Sequence, residues 1–286
     1  MDIFQLIFNG LAIGSIIALA AVGLTLTLGI LRLSNFAHGD LMTLGGYLSF
    51  FINSLGVNIW LSMLVGALGI VLFTVLVEFL MWRPMRERKA TSTTFIVMSI
   101  GLALFLRNGI LLIWGGNNQR YDLPIMQAID LGILKIEVDR LLVICLTFFI
   151  VIALHIMLQR TKMGKAMRAI ADNAELASVS GINVGIIVLW TWLCTGIMTS
   201  FSGSLYGLIV GGLRPEMGWF MIMPIFAAVI LGGIGNPYGA IAGGLIIGVA
   251  QEVSIIWLGS DYKLAVALVI MIIILLLRPQ GLFKGT

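Results

Sequence analysis

The sequence predicts an all-α fold, a polytopic transmembrane helical bundle of about eight or nine spans, and three observations lead there. The chain is 60% hydrophobic with a mean hydropathy of +1.09. Charged residues make up 10% of it, against about 25% in a soluble globular domain. The apolar residues come in runs of about 20, the length that crosses a hydrocarbon core as a helix. A membrane β-barrel would show short alternating segments, and the sequence has none. The 34 glycines and 15 methionines suit packed helices in which small residues let backbones approach closely.

The spans are expected, in order, at 3–31, 38–56, 59–82, 93–114, 140–159, 185–211, 219–235, 238–258 and 263–277. The first run follows Met1 and Asp2 with no basic segment and no small-residue cleavage site, so it reads as a retained span. The second is rich in Gly and Thr, and the seventh is short and holds Pro224. Either fits a broken or re-entrant helix, which is tolerated where protein covers the irregular backbone; eight spans is the alternative count. Between the fourth and fifth, "WGGNNQRYDLP" opens a loop whose Gly, Asn, Asp and Pro residues mark turns rather than a domain. The whole chain, 1–286, reads as one transmembrane domain, so any energy source must lie on other subunits.

The net charge of +4 is informative through its placement, and does not point to nucleic acid. Arg32, Arg83, Arg86, Arg88, Lys89, Arg160, Lys162, Lys165, Arg168, Arg278 and Lys284 fall on one side of a nine-span bundle. Arg120, Lys135, Arg140, Arg214 and Lys263 fall on the other, among acidic residues. The positive-inside rule then puts the N-terminus outside and the C-terminus in the cytoplasm. Cys145 and Cys194 sit in apolar runs with no neighbouring His or Cys in a ligand spacing, and read as small buried hydrophobes.

The largest inner loop, about 160–184, ends in the polar stretch "RAIADNAELASVSGINV" (168–184). Asp172 is placed to cap a short helix over 173–180, with Glu175 three residues on as in a capping box. Gly181 stands where a left-handed residue would end that helix. Leu176 and Val179 share one face; Glu175 and Ser178 share another. A helix resting on anionic lipid would carry Lys or Arg on its polar face. This one is acidic, and suits insertion into a protein groove.

Four stretches in order carry a family resemblance. "RAIADNAELASVSGINV" resembles the cytoplasmic coupling segment of ABC-importer permeases, and "LSNFAHGDLMTLGGYL" (33–48) resembles a signature of the LivH-type branched-chain amino-acid permeases. "LGGIGNPYGAIAGGLIIGVAQE" (231–252) is similar to their late glycine-rich helix and "RPQGLF" (278–283) to their tail. The resemblance covers essentially the whole chain. It implies a bacterial inner-membrane subunit of an importer for branched-chain or other neutral amino acids. The implied partners are a second, LivM-type permease, two ABC ATPases that bind the ATP, and an extracytoplasmic binding protein that delivers substrate. Asp172, Glu175, Leu176, Ala177, Val179, Gly181 and Asn183 would then form the ATPase-coupling segment. Asn35, Phe36, His38, Gly39 and Asp40 would lie at the inner end of the second span.

The remaining polar residues are few. His38 and Asp40 either form a gate or reach the ATPase at the inner surface, or they order a tight turn before the second span. Glu252 reads as the acidic residue inside an apolar run and Arg107 as the corresponding cation; such charges usually face a cavity or a partner. Both are candidates for the translocation path. "GGIGNPYG" and "TKMGKAM" lack the Lys-Ser/Thr step of a phosphate loop, so neither ATP nor a metal or other cofactor is expected on this chain. "NFAHG" (35–39) and "NPYG" (236–239) both precede glycine-rich spans, which hints at a pseudo-repeat of two halves. Two other functions compete: a gradient-driven secondary transporter using Glu252, Arg107 or His38, and a permease of the same family for urea or short amides. A membrane enzyme would need converging catalytic groups, which the scattered polar residues do not supply.

Overall fold

A computed structural model describes residues 3–123, 129–130 and 135–283. Pro124 of the outer loop and Lys284 of the basic tail lie outside the described residues, as do Met1 and Asp2. The architecture is helical, in the order α1 (Ile3–Leu31), α2 (His38–Ser54), α3 (Ile59–Val77), α4 (Arg83–Glu87), α5 (Ser92–Trp114) and α6 (Val138–Arg160). There follow α7 (Lys162–Asp172), α8 (Ala174–Val179), α9 (Val184–Val210), α10 (Met217–Gly232), α11 (Pro237–Val253), α12 (Ile255–Leu258) and α13 (Lys263–Leu277). A π-helical turn over Glu78–Trp82 joins α3 to α4. Among the described residues the extended structure is one short pairing before α6, Ile129 with Ile136 and Asp130 with Lys135, and an isolated antiparallel bridge between Gln119 and Leu213.

Among the described residues seven helices are long and apolar enough to cross a membrane: Ile3–Leu31, Ile59–Glu87, Ser92–Trp114, Val138–Arg160, Val184–Val210, Pro237–Leu258 and Ser260–Leu277. The second and seventh sequence runs form shorter helices, α2 with 17 residues and α10 with 16. Each follows a non-helical stretch, 32–37 before α2 and 211–216 before α10. Arg32 at the end of α1 has a left-handed backbone, φ 51, which turns the chain back on itself instead of continuing the helix. Pro224 sits inside α10.

α1 is the central post. It is apolar all round and is continuously buried from Gly14 to Thr27, as expected of a helix with no polar face. It lies against α11 along facing small residues: a Cβ on Gly248 would come 2.3 Å from the Gly14 Cα, and one on Gly244 would come 2.5 Å from the Ala18 Cα. That is the small-residue seam by which membrane helices pack without a hydrophobic drive. α9 packs on α1 and α2 through hydroxyls. Thr195 Oγ1 donates to the Gly23 carbonyl at 3.2 Å, Ser202 Oγ to that of Ile16 at 3.0 Å, and Ser49 and Ser204 meet at 2.8 Å. α3, α5, α6 and α13 surround this set and leave apolar side chains such as Phe105, Leu112, Phe148 and Leu276 exposed, a surface that only lipid or another membrane subunit could cover. Cys194 is buried as expected, whereas Cys145 is exposed on α6; the apolar run that contains it faces outward from the bundle.

Candidate functional site

Two sites emerge. The first is the α7–α8 segment between α6 and α9. α7 lies in the stretch expected as loop: Gly164, Met167 and Ile170, three residues apart, are buried, so one stripe of the helix docks on the bundle while its lysines face away. Thr161 caps it, accepting from the Gly164 N–H at 3.1 Å, and the Arg168 guanidinium donates to the Leu158 carbonyl. α7 is thereby fixed to the end of α6 and to α1.

The cap of α8 differs from expectation by one residue. Asp172 is the last residue of α7, and Asn173 is the cap. The Asn173 side-chain oxygen accepts from the N–H groups of Glu175 and Leu176, both at 3.0 Å. With a helix already ending at Asp172, the extended residue between the two helices (φ −156, ψ 106) must be Asn173, and an N-cap requires that non-helical backbone. The other end matches expectation. Gly181 has φ +87, its N–H reaches the Ser178 carbonyl and the Ile182 N–H reaches that of Ala177, each at 3.0 Å. This is the complete Schellman pattern. Asn183 then caps α9, accepting from the Ile186 N–H at 3.2 Å. Of the apolar residues of α8, Ala177 is 5% exposed, Leu176 66% and Val179 87%. Small Ala177 lies against the chain's own core; the two large side chains have no cover within it.

The second site is the junction of α2 and α10. Asn35, Phe36, His38, Gly39 and Asp40 lie just before and at the start of α2. His38 is fully buried and its Nε2 lies 2.8 Å from the Ala20 carbonyl in the middle of α1. Asp40 pairs with Arg107, 15 residues into α5 by numbering, both oxygens accepting at 3.1 Å from Nε and Nη2. With about 1.5 Å of rise per residue, that is about 22 Å from the Ser92 end of α5. The non-helical stretch 32–37 therefore runs from the end of α1 back to the level of Ala20 and Gly23 before α2 begins. His38 and Asp40 are buried among the helices and find their partners within the chain. Asn35 Oδ1 accepts from the Ala37 N–H at 3.1 Å, the Phe36 N–H donates to Ser99 Oγ at 3.1 Å, and Phe36 packs on Phe226 with centroids 4.9 Å apart.

Gly39 is needed where α2 crosses α10. A Cβ there would sit 2.2 Å from the Gly218 carbonyl oxygen, and a Cβ on Gly218 would sit 2.0 Å from that of Gly39. The Gly218 N–H donates to Thr43 Oγ1 at 2.9 Å. The two short helices thus meet start to start. Trp219 covers the pair beside them, the Arg107 guanidinium lying 4.7 Å from its ring.

Glu252 lies elsewhere. It is nearly buried at the end of α11 and accepts from Lys263 at the start of α13, so it ties those helices together. A buried carboxylate that the sequence reading passed over is Glu78, in the π-helical turn. It accepts from Arg86 and, at 2.7 Å, from the Trp192 indole of α9. The available signal was a Glu in an apolar run with Arg eight residues on, a spacing that an ordinary α-helix would not bring together and the π turn does.

Comparison with known proteins gives the family. A family model described as "Branched-chain amino acid transport system / permease component" matches residues 6–275. The high-affinity branched-chain amino acid transport system permease protein LivH of Salmonella typhimurium is 32% identical, the match covering 97% of this chain and 94% of that protein. The corresponding permease protein BraD of Pseudomonas aeruginosa is 29% identical over the same shares. Among solved structures, PsaBC from Streptococcus pneumoniae in complex with Fab matches with a TM-score of 0.51 and 15% identity over 98% of this chain and 93% of that one, a likeness of fold alone. From its buried helical core to its matched length, this chain belongs to the permease family of branched-chain amino-acid transport systems.

Proposed function

We infer that this protein is the permease subunit of an ATP-driven importer for branched-chain or other neutral amino acids. It sits in the bacterial inner membrane and performs no chemistry of its own. The observation that carries the reading is α8: a short helix capped at both ends that presents Leu176 and Val179 outward from the inner face. On the cytoplasmic side, such a helix suits a groove in an ATPase subunit. α7, docked on α1, would pass the motion of that groove into the bundle. A second permease of LivM type would supply the other wall of the path, and an extracytoplasmic protein would deliver substrate.

The nine-span count and the N-out, C-in orientation belong to this reading. They are supported by the basic residues at the inner ends and by α2 and α10, which complete the layer although each is short. A pseudo-repeat in inverted orientation is supported by the order of elements. A long helix, a non-helical stretch and a short helix open both halves: α1, 32–37 and α2 in one, α9, 211–216 and α10 in the other. α1 packs along α11 as α9 packs along α3. This relates α2 to α10, in place of the correspondence of 35–39 with 236–239.

Affinity purification of the tagged chain from native membranes, with mass spectrometry, tests the assembly. An ATPase and a second permease in comparable amounts are expected, and Leu176→Ser with Val179→Ser should lose the ATPase while keeping the permease. Recovery of the chain alone, repeated after cross-linking, would defeat the reading. Competition of uptake by unlabelled leucine, alanine and urea then sets the substrate class; competition by urea alone would overturn the amino-acid assignment.

A further inference from the structure

We propose that the Asp40–Arg107 pair under Trp219 is a mid-membrane subsite of the translocation path, and that the open edge of the guanidinium holds the carboxylate of a neutral amino acid. The proposal rests on the importer reading above and adds a substrate contact to it.

The pair is asymmetric. The Asp40 side chain is 2% exposed and that of Arg107 21%. Asp40 engages Nε and Nη2, and a guanidinium has five N–H donors in a rigid fork, so donors remain on the edge turned away from Asp40. A cation edge at this depth is costly against hydrocarbon, and such residues face a cavity or an aqueous path. The Glu78–Arg86 and Glu252–Lys263 pairs are also closed on the carboxylate side only; what sets this pair apart is its place beside Trp219 at the meeting of α2 and α10.

The surroundings suit a zwitterion with an aliphatic side chain. Trp219 holds the guanidinium plane from one face, leaving the in-plane direction along which a carboxylate is bound by two N–H groups. Asp40 offsets the arginine charge. A net-neutral substrate therefore meets a net-neutral site, with no lone cation to hold its carboxylate against release. From Trp219, α10 presents Met223 and Phe226 on one face toward the inner side, both only partly buried, and Phe226 is packed on Phe36. They offer an apolar wall next to the anchoring charge. The breaks at 32–37 and 211–216 bring these groups together, because each lets a helix begin at mid-depth.

The test is ATP-driven uptake of labelled L-leucine by the importer with its own partner subunits, comparing Arg107→Gln, Asp40→Asn, the double variant and Arg107→Lys. Each single neutralisation leaves one charge unpaired and should lower uptake by more than about tenfold. The double variant removes both charges and should restore membrane level and co-purification of partners, yet leave uptake at least about tenfold down. Recovery of uptake to wild-type level in the double variant would show the pair to be structural and overturn the proposal. Where the double variant fails to insert, Arg107→Lys decides: it keeps the charge and loses the fork, and wild-type uptake at wild-type membrane level would equally overturn it. Failure of the importer reading shows separately, as wild-type uptake that continues without the ATPases.

Discussion

The α8 segment and the α2–α10 junction are opposites in how their residues find partners. α8 keeps its backbone satisfied by local bonds from Asn173, Gly181 and Ile182 and exposes its large apolar side chains. The junction consists of contacts between residues far apart in sequence: His38 with Ala20, Asp40 with Arg107, Gly39 with Gly218. The difference teaches that a segment with little of the bundle around it must carry its fold within itself. A segment meant to shape the interior can leave its backbone irregular, since the rest of the bundle supplies the partners.

The sharpest way to break the comparison is to fill the junction. Gly39→Val places side-chain atoms where Cβ alone already lies 2.2 Å from the Gly218 carbonyl oxygen. Backbone cannot yield as a side-chain end can, so the expected outcome is loss of folded protein from the membrane, read by immunoblot and detergent melting. A well-folded Gly39→Val protein would show that α2 and α10 do not cross so closely.

Gly181→Val should behave otherwise. No atom lies within 4 Å of a Cβ at Gly181, so nothing clashes and insertion should be normal. Its φ of +87 is disfavoured for any side chain and most of all for a β-branched one. The end of α8 should therefore unravel and ATP-driven uptake should be abolished. Normal transport in that variant would sink the account of α8 as the coupling helix.

Asn173→Ala is the mildest. It removes the acceptor of two N–H groups, a loss of about 1 kcal/mol at a helix cap, and should reduce uptake a few-fold with no change in membrane level. Asp172→Ala should leave uptake near wild type, since Asp172 does not cap α8. If the two variants behaved in reverse, the cap assignment would be wrong.

How much was legible in the sequence follows the same division. The long apolar runs gave helix bounds within a few residues, because about 20 apolar residues in hydrocarbon have one way to satisfy their backbone. Gly181 was legible, since a left-handed helix end is a local requirement that glycine meets best. The cap was displaced from Asp172 to Asn173, because nothing local revealed that α7 would dock through Met167 and Ile170 and end at Asp172. Glu78 was passed over because its partners, Arg86 and Trp192, meet it through a π turn and a distant helix.

The sequence by itself determined that this chain is a helical membrane protein with a small, self-capped polar helix on its basic side. Those properties follow from hydrophobicity, charge placement and short-range hydrogen bonds, all of which act within a few residues. Only the tertiary structure decided the depth at which α2 and α10 begin, and with it the pairing of Asp40 with Arg107. The physical reason is that a broken helix in a bilayer is stable only when other helices cover its open backbone, and no single stretch of sequence specifies which helices those are.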